Sequence, residues 1–117
     1  MSTVSRSRVE TAGNLLVDAP ALEALDEVIH QKVRLGIMST LMALGSADFK
    51  LLKETLGLSD GNLSTHLALL EERGYVEVVK EFKGRKPHTT AATTDLGRIA
   101  FQDYLAALER IIRAAKK

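Results

Sequence analysis

Three stretches in the middle of the chain carry apolar residues at the spacing of amphipathic helices. The first predicts a helix over about residues 32–44 that Gly45 is suited to end. Its apolar stripe carries Val33, Ile37, Leu41 and Leu44. Two further helices are predicted, one capped at Ser46 or Asp48 and ending at Leu56, the other running over residues 60–73. The link between them, Gly57-Leu58-Ser59, has the length of a tight helix-turn-helix connection.

Beyond these helices the spacing of apolar residues changes from helical to alternating. Residues 75–82 are rich in β-branched side chains and nearly alternate, which predicts a β-strand. Residues 83–87 contain a glycine that permits a turn, and the Thr-rich residues 88–94 are predicted to return as a second strand. The whole pattern predicts a mainly α-helical chain with a small β-hairpin wing. Helix, tight turn, helix and hairpin are the parts of a winged helix-turn-helix, in their order.

The two ends of the chain carry the remaining helical patterns. Asp18 can cap a first helix with Pro20 in its first turn. The apolar face of that helix is predicted to carry Leu22, Leu25, Val28 and Ile29. A last helix over about residues 95–115 carries two adjacent apolar stripes, which is more than one domain surface needs. The terminal helices are therefore expected to form a dimer interface, most simply with a second copy of the chain.

The composition fits one small domain and excludes several chemistries. The chain has 117 residues, of which 45% are hydrophobic, and it has no cysteine for disulfides or thiolate metal sites. We predict a flexible or partner-ordered arm over residues 1–18 and one winged-helix domain over residues 19–117. No signal-peptide pattern is present, and no apolar run approaches the ~20 residues that span a bilayer. A cytoplasmic protein without a membrane partner is expected.

The helix over residues 60–73 is predicted to present small polar side chains to DNA. Its core-facing stripe carries Leu63, Leu67 and Leu70. Asn62, Thr65 and Ala68 lie roughly opposite that stripe, with Ser64 on the flank. Asn62 can read adenine, Ser64 and Thr65 suit phosphates or base edges, and Thr65 and Ala68 can touch thymine methyls. The alternative is an ordinary solvent-facing surface, which the helix-turn-helix context disfavours.

The hairpin tip concentrates positive charge that the composition as a whole lacks. The formal net charge is only +1, yet Lys83, Arg85 and Lys86 lie almost side by side and His88 follows them. Arg85 is predicted to lie along a narrow minor groove, and the two lysines to neutralise phosphates. A solvated turn is the alternative. The position of the tip directly after the helix over residues 60–73 favours DNA.

Other chemistries find little support in the sequence. No pair among His30, His66 and His88 has metal-ligand spacing on one helix face, so no metal is predicted, although a site shared between subunits stays open. His66 lies close to the leucine stripe and is expected to pack or hydrogen-bond, with a phosphate contact as the alternative. No glycine-rich phosphate loop and no nucleophile motif is present. Neither an enzyme nor a cofactor is predicted.

The chain resembles small bacterial and archaeal winged-helix regulators related to the MarR and ArsR groups. The resemblance covers about residues 22–110 and is carried by Leu25-Asp26, Val28-Ile29-His30, Val33-Arg34-Leu35, Asp48–Leu52, Asp60–Leu67 and Leu70–Val76. It implies a homodimer on promoter DNA, with Asn62, Ser64, Thr65 and Arg85 facing the duplex. Ala91 and Ala92 depart from the family pattern by replacing bulkier residues, which predicts a shorter or less rigid wing.

These observations predict a sequence-specific DNA-binding transcriptional regulator. We expect a homodimeric repressor that reads a pseudo-palindromic operator of double-stranded DNA through the helix over residues 60–73 and the wing over residues 83–87. A small-molecule effector is left open, and no residue identifies it. The alternative is a winged-helix module that binds proteins and not DNA, which the acidic residues near the predicted DNA face keep open.

Overall fold

The helices and the hairpin follow one another in the order that the apolar pattern predicts. A computed structural model describes residues 17–116 of the chain. It comprises α1 (Ala19–Glu23), α2 (Lys32–Leu44), β1 (Ser46–Asp48), α3 (Phe49–Leu56), α4 (Asp60–Glu72), β2 (Val76–Lys83), β3 (Lys86–Thr93) and α5 (Asp95–Ala115). The mainly helical winged-helix fold is confirmed. Most of the predicted N-terminal arm, residues 1–16, lies outside the described residues.

The central helices and the sheet belong to one compact unit, residues 27–101. Within it, α2 packs against α3, α4, β1 and β3, and α4 packs against β2. Fully buried aliphatic side chains fill the space between these elements, among them Ile37, Leu41, Leu52, Leu63 and Leu70. The three leucines predicted to face the core from α4 are all buried, so the helical wheel of α4 is confirmed.

The sheet contains a strand that the sequence does not predict. β1 pairs antiparallel with β3, so the strand order is β1-β3-β2 and β3 is central. Ala91 in β3 is paired with Ala47 on one side and Val78 on the other, and it is only 2% exposed. A small side chain suits this position because neighbouring strands flank it on both sides.

The wing is not shortened, contrary to one of the two expectations from Ala91 and Ala92. β2 and β3 are eight residues long each and are paired from Val76↔Thr93 to Lys83↔Lys86. The small residues lie at the base of the hairpin, where β3 has neighbours on both sides, and so they do not interrupt the pairing.

The first helix is shorter than predicted, because α1 ends at Glu23. The backbone oxygen of Val28 accepts a hydrogen bond from Arg34 Nε at 2.6 Å. The Gln31 side chain accepts from the Arg34 backbone N–H and caps α2. Leu25, Val28 and Ile29 therefore lie between α1 and α2 and not on the first helix, although Ile29 is fully buried.

A second unit contains α1 and α5 from Gln102 onward. Asp18 caps α1 through the Ala21 N–H, and both of its carboxylate oxygens accept from the Arg110 guanidinium at 3.0 Å. The buried residues of α5 in this unit are Tyr104, Ala107 and Ala114. Tyr104 and Ala107 belong to one of the two predicted stripes, whose spacing Ala114 continues. Leu105 and Ile112, which belong to the other stripe, remain 46% and 45% exposed.

Candidate nucleic-acid interface

The start of α4 is fixed by two local signals that the sequence contains. Gly57 ends α3 in the left-handed region at φ of +65°, where a side chain would be strained. Ser59 then caps α4, because its hydroxyl oxygen accepts a hydrogen bond from the Asn62 N–H at 3.1 Å. The predicted turn over residues 57–59 is therefore present, and it sets the direction in which α4 presents its outer face.

All four helix residues predicted to meet DNA are exposed, but they divide into two groups. Ser64 and Ala68 line a cleft between α4 and the hairpin. This helix–wing cleft is bounded by Phe49, Asp60, Ser64, Leu67, Ala68, Glu71, Val78, Lys80 and Thr89. Asn62 and Thr65 are exposed outside the cleft lining. The outer face of α4 thus continues from an open polar surface into a groove against the wing.

The basic tip is a two-residue turn. Lys83↔Lys86 is the last cross-strand pair, which leaves only Gly84 and Arg85 between the strands. Gly84 has a φ of +65° and Arg85 does not have a positive φ, a combination that fits a type II′ hairpin turn. Lys83, Arg85 and Lys86 are all exposed. The three cations therefore lie together at the outermost point of the hairpin.

Alternation along the hairpin separates two faces. Val78 and Lys80 line the helix–wing cleft together with Thr89, the cross-strand partner of Lys80. Glu77, Val79 and Glu81 alternate to the opposite face. His88 pairs across from Glu81 and is half-buried, so the hairpin directs it away from the cleft. Glu77 and Glu81, two of the acidic residues that keep a protein-binding module open, also face away from the cleft.

Phe82 is an exposed aromatic residue beside the candidate site that the sequence did not indicate. It alternates onto the same face as Val78 and Lys80, and it is 71% exposed. Its cross-strand partner is Pro87, which is also exposed. In a predicted strand, positions 78, 80 and 82 lie on one face, and this spacing could have placed Phe82 on the same face as Lys80. It was not used because a phenylalanine in an alternating strand usually indicates a core residue.

One acidic residue of the cleft has a basic partner. Lys53 on α3 lies 2.9 Å from the Asp60 carboxylate (Nζ to Oδ1), and the hydrogen bond and charge of Asp60 raise the pKa of Lys53. The charge of Asp60 at the start of α4 is thereby offset on the protein surface. Glu71 contributes a carboxylate at the other end of the cleft.

His66 belongs to the interior side of α4, as the sequence predicts. Arg34 on α2 approaches it at 3.0 Å (Nη1 to Nδ1), and since arginine can only donate, Nδ1 is the acceptor. Burial, followed by the charge of Arg34, lowers the pKa of His66 below 6.5. Arg34 also donates from Nε to the backbone oxygen of Val28. Its guanidinium therefore links His66 on α4 to the segment that precedes α2.

The contact between Arg34 and His66 predicts a pH dependence of stability. Because the pKa of His66 is lower in the folded state, its contribution is present above pH 6.5 and is lost as the pH falls through the folded pKa. We expect His66→Gln, which keeps an acceptor for Arg34 but does not titrate, to flatten the loss of stability between about pH 7 and pH 5. Urea titrations at a series of pH values measure this slope. His88→Gln on the wing is the control, and an unchanged slope in His66→Gln would contradict the prediction.

An exposed polar helix face beside a cationic hairpin defines a DNA-binding regulator of the winged-helix class. The chain belongs to the winged helix DNA-binding domain family, which it matches over residues 33–112. It is 39% identical over 79 residues to an uncharacterized protein of Methanocaldococcus jannaschii, covering 68% of this chain and 86% of that protein. The predicted kinship with winged-helix regulators is thereby confirmed.

Solved structures of regulators share the fold. A transcriptional regulator homologue from Pyrococcus horikoshii is 33% identical with a TM-score of 0.71, covering 75% of this chain and 87% of that one. An ArsR family transcriptional regulator superposes with a TM-score of 0.51 at 17% identity over 84% of this chain and 96% of the other, which shows the fold alone. Over the described residues 17–116, no helix is long and apolar enough to cross a membrane.

Proposed function

We propose that the chain is a homodimeric transcriptional repressor that reads a pseudo-palindromic operator. The observation that carries this proposal is the exposed, short-chained outer face of α4 next to the exposed cations of the wing tip. Gly61 on α4 supports it, because a Cβ atom there would meet nothing within 4 Å. The described residues therefore do not require a glycine at this position, whereas close approach of a duplex favours one.

Each part of this surface has a proposed role. Asn62 reads adenine in the major groove, and Thr65 and Ala68 contact base edges or thymine methyls. Ser64, in the helix–wing cleft, donates to a phosphate. Arg85 enters the neighbouring minor groove, while Lys83 and Lys86 neutralise phosphates beside it. His88 lies on the hairpin face that points away from the cleft, and we assign it only a DNA contact at the edge of this surface.

A homodimer is proposed from the apolar surface of the unit that contains α1 and the end of α5. Leu22, Leu105 and Ile112 are between 45% and 53% exposed there. Exposed apolar side chains on a regular helix suit the same helix of a second copy, related by a two-fold axis. The two α4 helices of the dimer, about 34 Å apart, would then enter successive major grooves of a palindromic site. We assign repression because a protein that occupies promoter DNA can block transcription without contacting the polymerase, whereas activation generally requires such a contact.

The proposal is tested by fluorescence anisotropy on labelled DNA from upstream of the gene, titrated in salt against scrambled competitor. Arg85→Ala is expected to weaken binding to every sequence and to make the salt slope shallower by about 1. Asn62→Ala is expected to relax specificity at one base step, at a cost of ~1–3 kcal/mol. Lys116→Ala, directly after α5, removes one charge outside the unit of residues 27–101 and serves as the control.

Two results would count against the proposed surface. Unchanged affinity in both Arg85→Ala and Asn62→Ala would remove the assigned contacts. No binding of the wild-type protein at low salt would remove DNA as its partner, and a protein-binding module would become the better interpretation, since its binding need not fall steeply with salt.

A further inference from the structure

The most exposed large apolar side chain among residues 17–116 lies at the wing tip. Phe82 is 71% exposed, and the next most exposed large apolar residues reach only 57%. It forms the cross-strand pair with Pro87, directly before the terminal pair Lys83↔Lys86. Leaving an aromatic ring in water forgoes the free energy that its burial would contribute. This pair is therefore a candidate contact surface.

The position of Phe82 on the hairpin limits what it can meet. It shares a face with Val78 and Lys80, and both of these line the helix–wing cleft opposite Ser64. Phe82 thus extends the hairpin wall of the helix–wing cleft towards the tip, and it lies between the cleft and the cationic turn. A partner that touches both α4 and the wing tip must pass along this line.

The surrounding charge identifies the chemical class of that partner. Lys80 is exposed on the same face as Phe82 and Pro87, and Arg85 is exposed in the turn that follows them. Lys83 and Lys86 form the next cross-strand pair and are exposed on the opposite face. The patch combines an apolar pair with a cluster of cations. Such a surface suits a polyanion that also offers apolar faces, which an apolar protein helix would not match.

We infer that Phe82 and Pro87 pack against deoxyribose of the DNA strand that runs between the helix–wing cleft and the tip. This inference rests on the proposed function. When α4 occupies a major groove and Arg85 the adjacent minor groove, one sugar–phosphate strand separates the two grooves and must cross the cleft. Lys80, on the same face, lies towards the phosphates of that strand, and the apolar pair contacts the C–H faces of the adjoining sugars. Phe82 is then a DNA-positioning residue that acts without charge.

The absence of charge gives the inference a specific test. Anisotropy titrations at several salt concentrations compare wild type, Phe82→Ala and Phe82→Leu with Lys83→Ala. Phe82→Ala is expected to weaken binding about tenfold at every salt concentration, the scale of one partly buried aromatic side chain, with an unchanged salt slope. Phe82→Leu should retain most of the affinity. Lys83→Ala should make the slope shallower by about 0.9. Ile99→Ala, on α5 and 57% exposed in the wild type, is the matched apolar control.

Each contrary outcome has a distinct meaning. Wild-type affinity in Phe82→Ala, with DNA binding itself intact, overturns the sugar contact and leaves the proposed function standing. A change in sedimentation of Phe82→Ala without a change in DNA affinity overturns it in favour of a second copy of the chain. A fall in Tm of several degrees overturns it in favour of a role within the hairpin. Failure of the wild-type protein to bind DNA overturns both the proposed function and this inference.

Discussion

Replacing Gly97 by alanine is expected to destabilise the protein by about 3 kcal/mol, the upper range of overpacking effects. Gly97 lies in the first turn of α5, where a Cβ atom would overlap the Tyr75 carbonyl oxygen and come within 2.9 Å of Thr93 Oγ1. The Tyr75 oxygen cannot move away cheaply, because it is backbone and accepts a hydrogen bond from the Thr94 N–H at 3.1 Å.

A second hydrogen-bonded group holds the same junction. Thr94 Oγ1 donates to the Gly74 carbonyl oxygen at 2.6 Å and accepts from the Gly97 N–H at 2.9 Å. The start of α5 is thus bonded to the residues that lead into β2. Moving α5 away to make room for a Cβ atom at Gly97 would break the hydrogen bonds of Thr94. The overlap therefore cannot be relieved without a loss of stability.

Thermal and urea unfolding measure the effect. Gly61→Ala is the matched control, because it makes the same change in a helix where nothing lies within 4 Å of the new Cβ. There we expect no loss, or a gain of up to about 1 kcal/mol from reduced freedom of the unfolded chain. Equal unfolding midpoints for Gly97→Ala and wild type would show that the junction is looser than its contacts indicate.

The double variant Leu105→Asp, Ile112→Asp is expected to separate the proposed dimer and to lower affinity for a full operator about 10²–10⁴-fold. Both side chains are exposed on α5, so aspartate at these positions opens no cavity within one copy. In a dimer, however, each carboxylate would be buried near its symmetry mate, which like charges resist. Affinity for a half-site, which needs only one α4 and one wing, should change little.

Sedimentation velocity gives the oligomeric state, and anisotropy on full-site and half-site duplexes gives the affinities. Leu51→Asp on α3 is the control, since Leu51 is 42% exposed and lies in the unit of residues 27–101. A double variant that sediments as wild type would remove this face of α5 from the interface. A wild-type protein that sediments as a monomer would remove the homodimer itself.

Local signals explain why much of the fold could be predicted. α2 has the predicted bounds, and the turn before α4 is specified by Gly57 and Ser59, whose backbone angle and capping hydroxyl act within three residues. The hairpin follows from its alternation and from Gly84 at the turn. In each case the residue that fixes the structure lies next to the structure that it fixes.

Features that depend on distant residues could not be predicted. β1 is a strand only because β3 lies beside it, and its three residues have no pattern of their own. α1 ends at Glu23 although its apolar spacing continues to Ile29, which is fully buried in the tertiary structure. The division of the α4 face into an open surface and a cleft depends on where β2 lies. For the same reason the sequence predicted that Asn62 and Ser64 are exposed, but not that only Ser64 lines the cleft. The exposure of Phe82 was not predicted either.

The two-residue turn of the wing has a consequence for the entropy of binding. A long flexible wing would lose backbone freedom when it enters a groove, at roughly 1–2 kcal/mol for each residue that becomes ordered. Here the strands are paired up to Lys83↔Lys86, and only Gly84 and Arg85 lie beyond the last pair. The wing is therefore preorganised, and ordering is largely confined to the side chains of Lys83, Arg85 and Lys86, at about 0.5–1.5 kcal/mol each. A hairpin lengthened at Gly84 would carry the same charges yet bind more weakly.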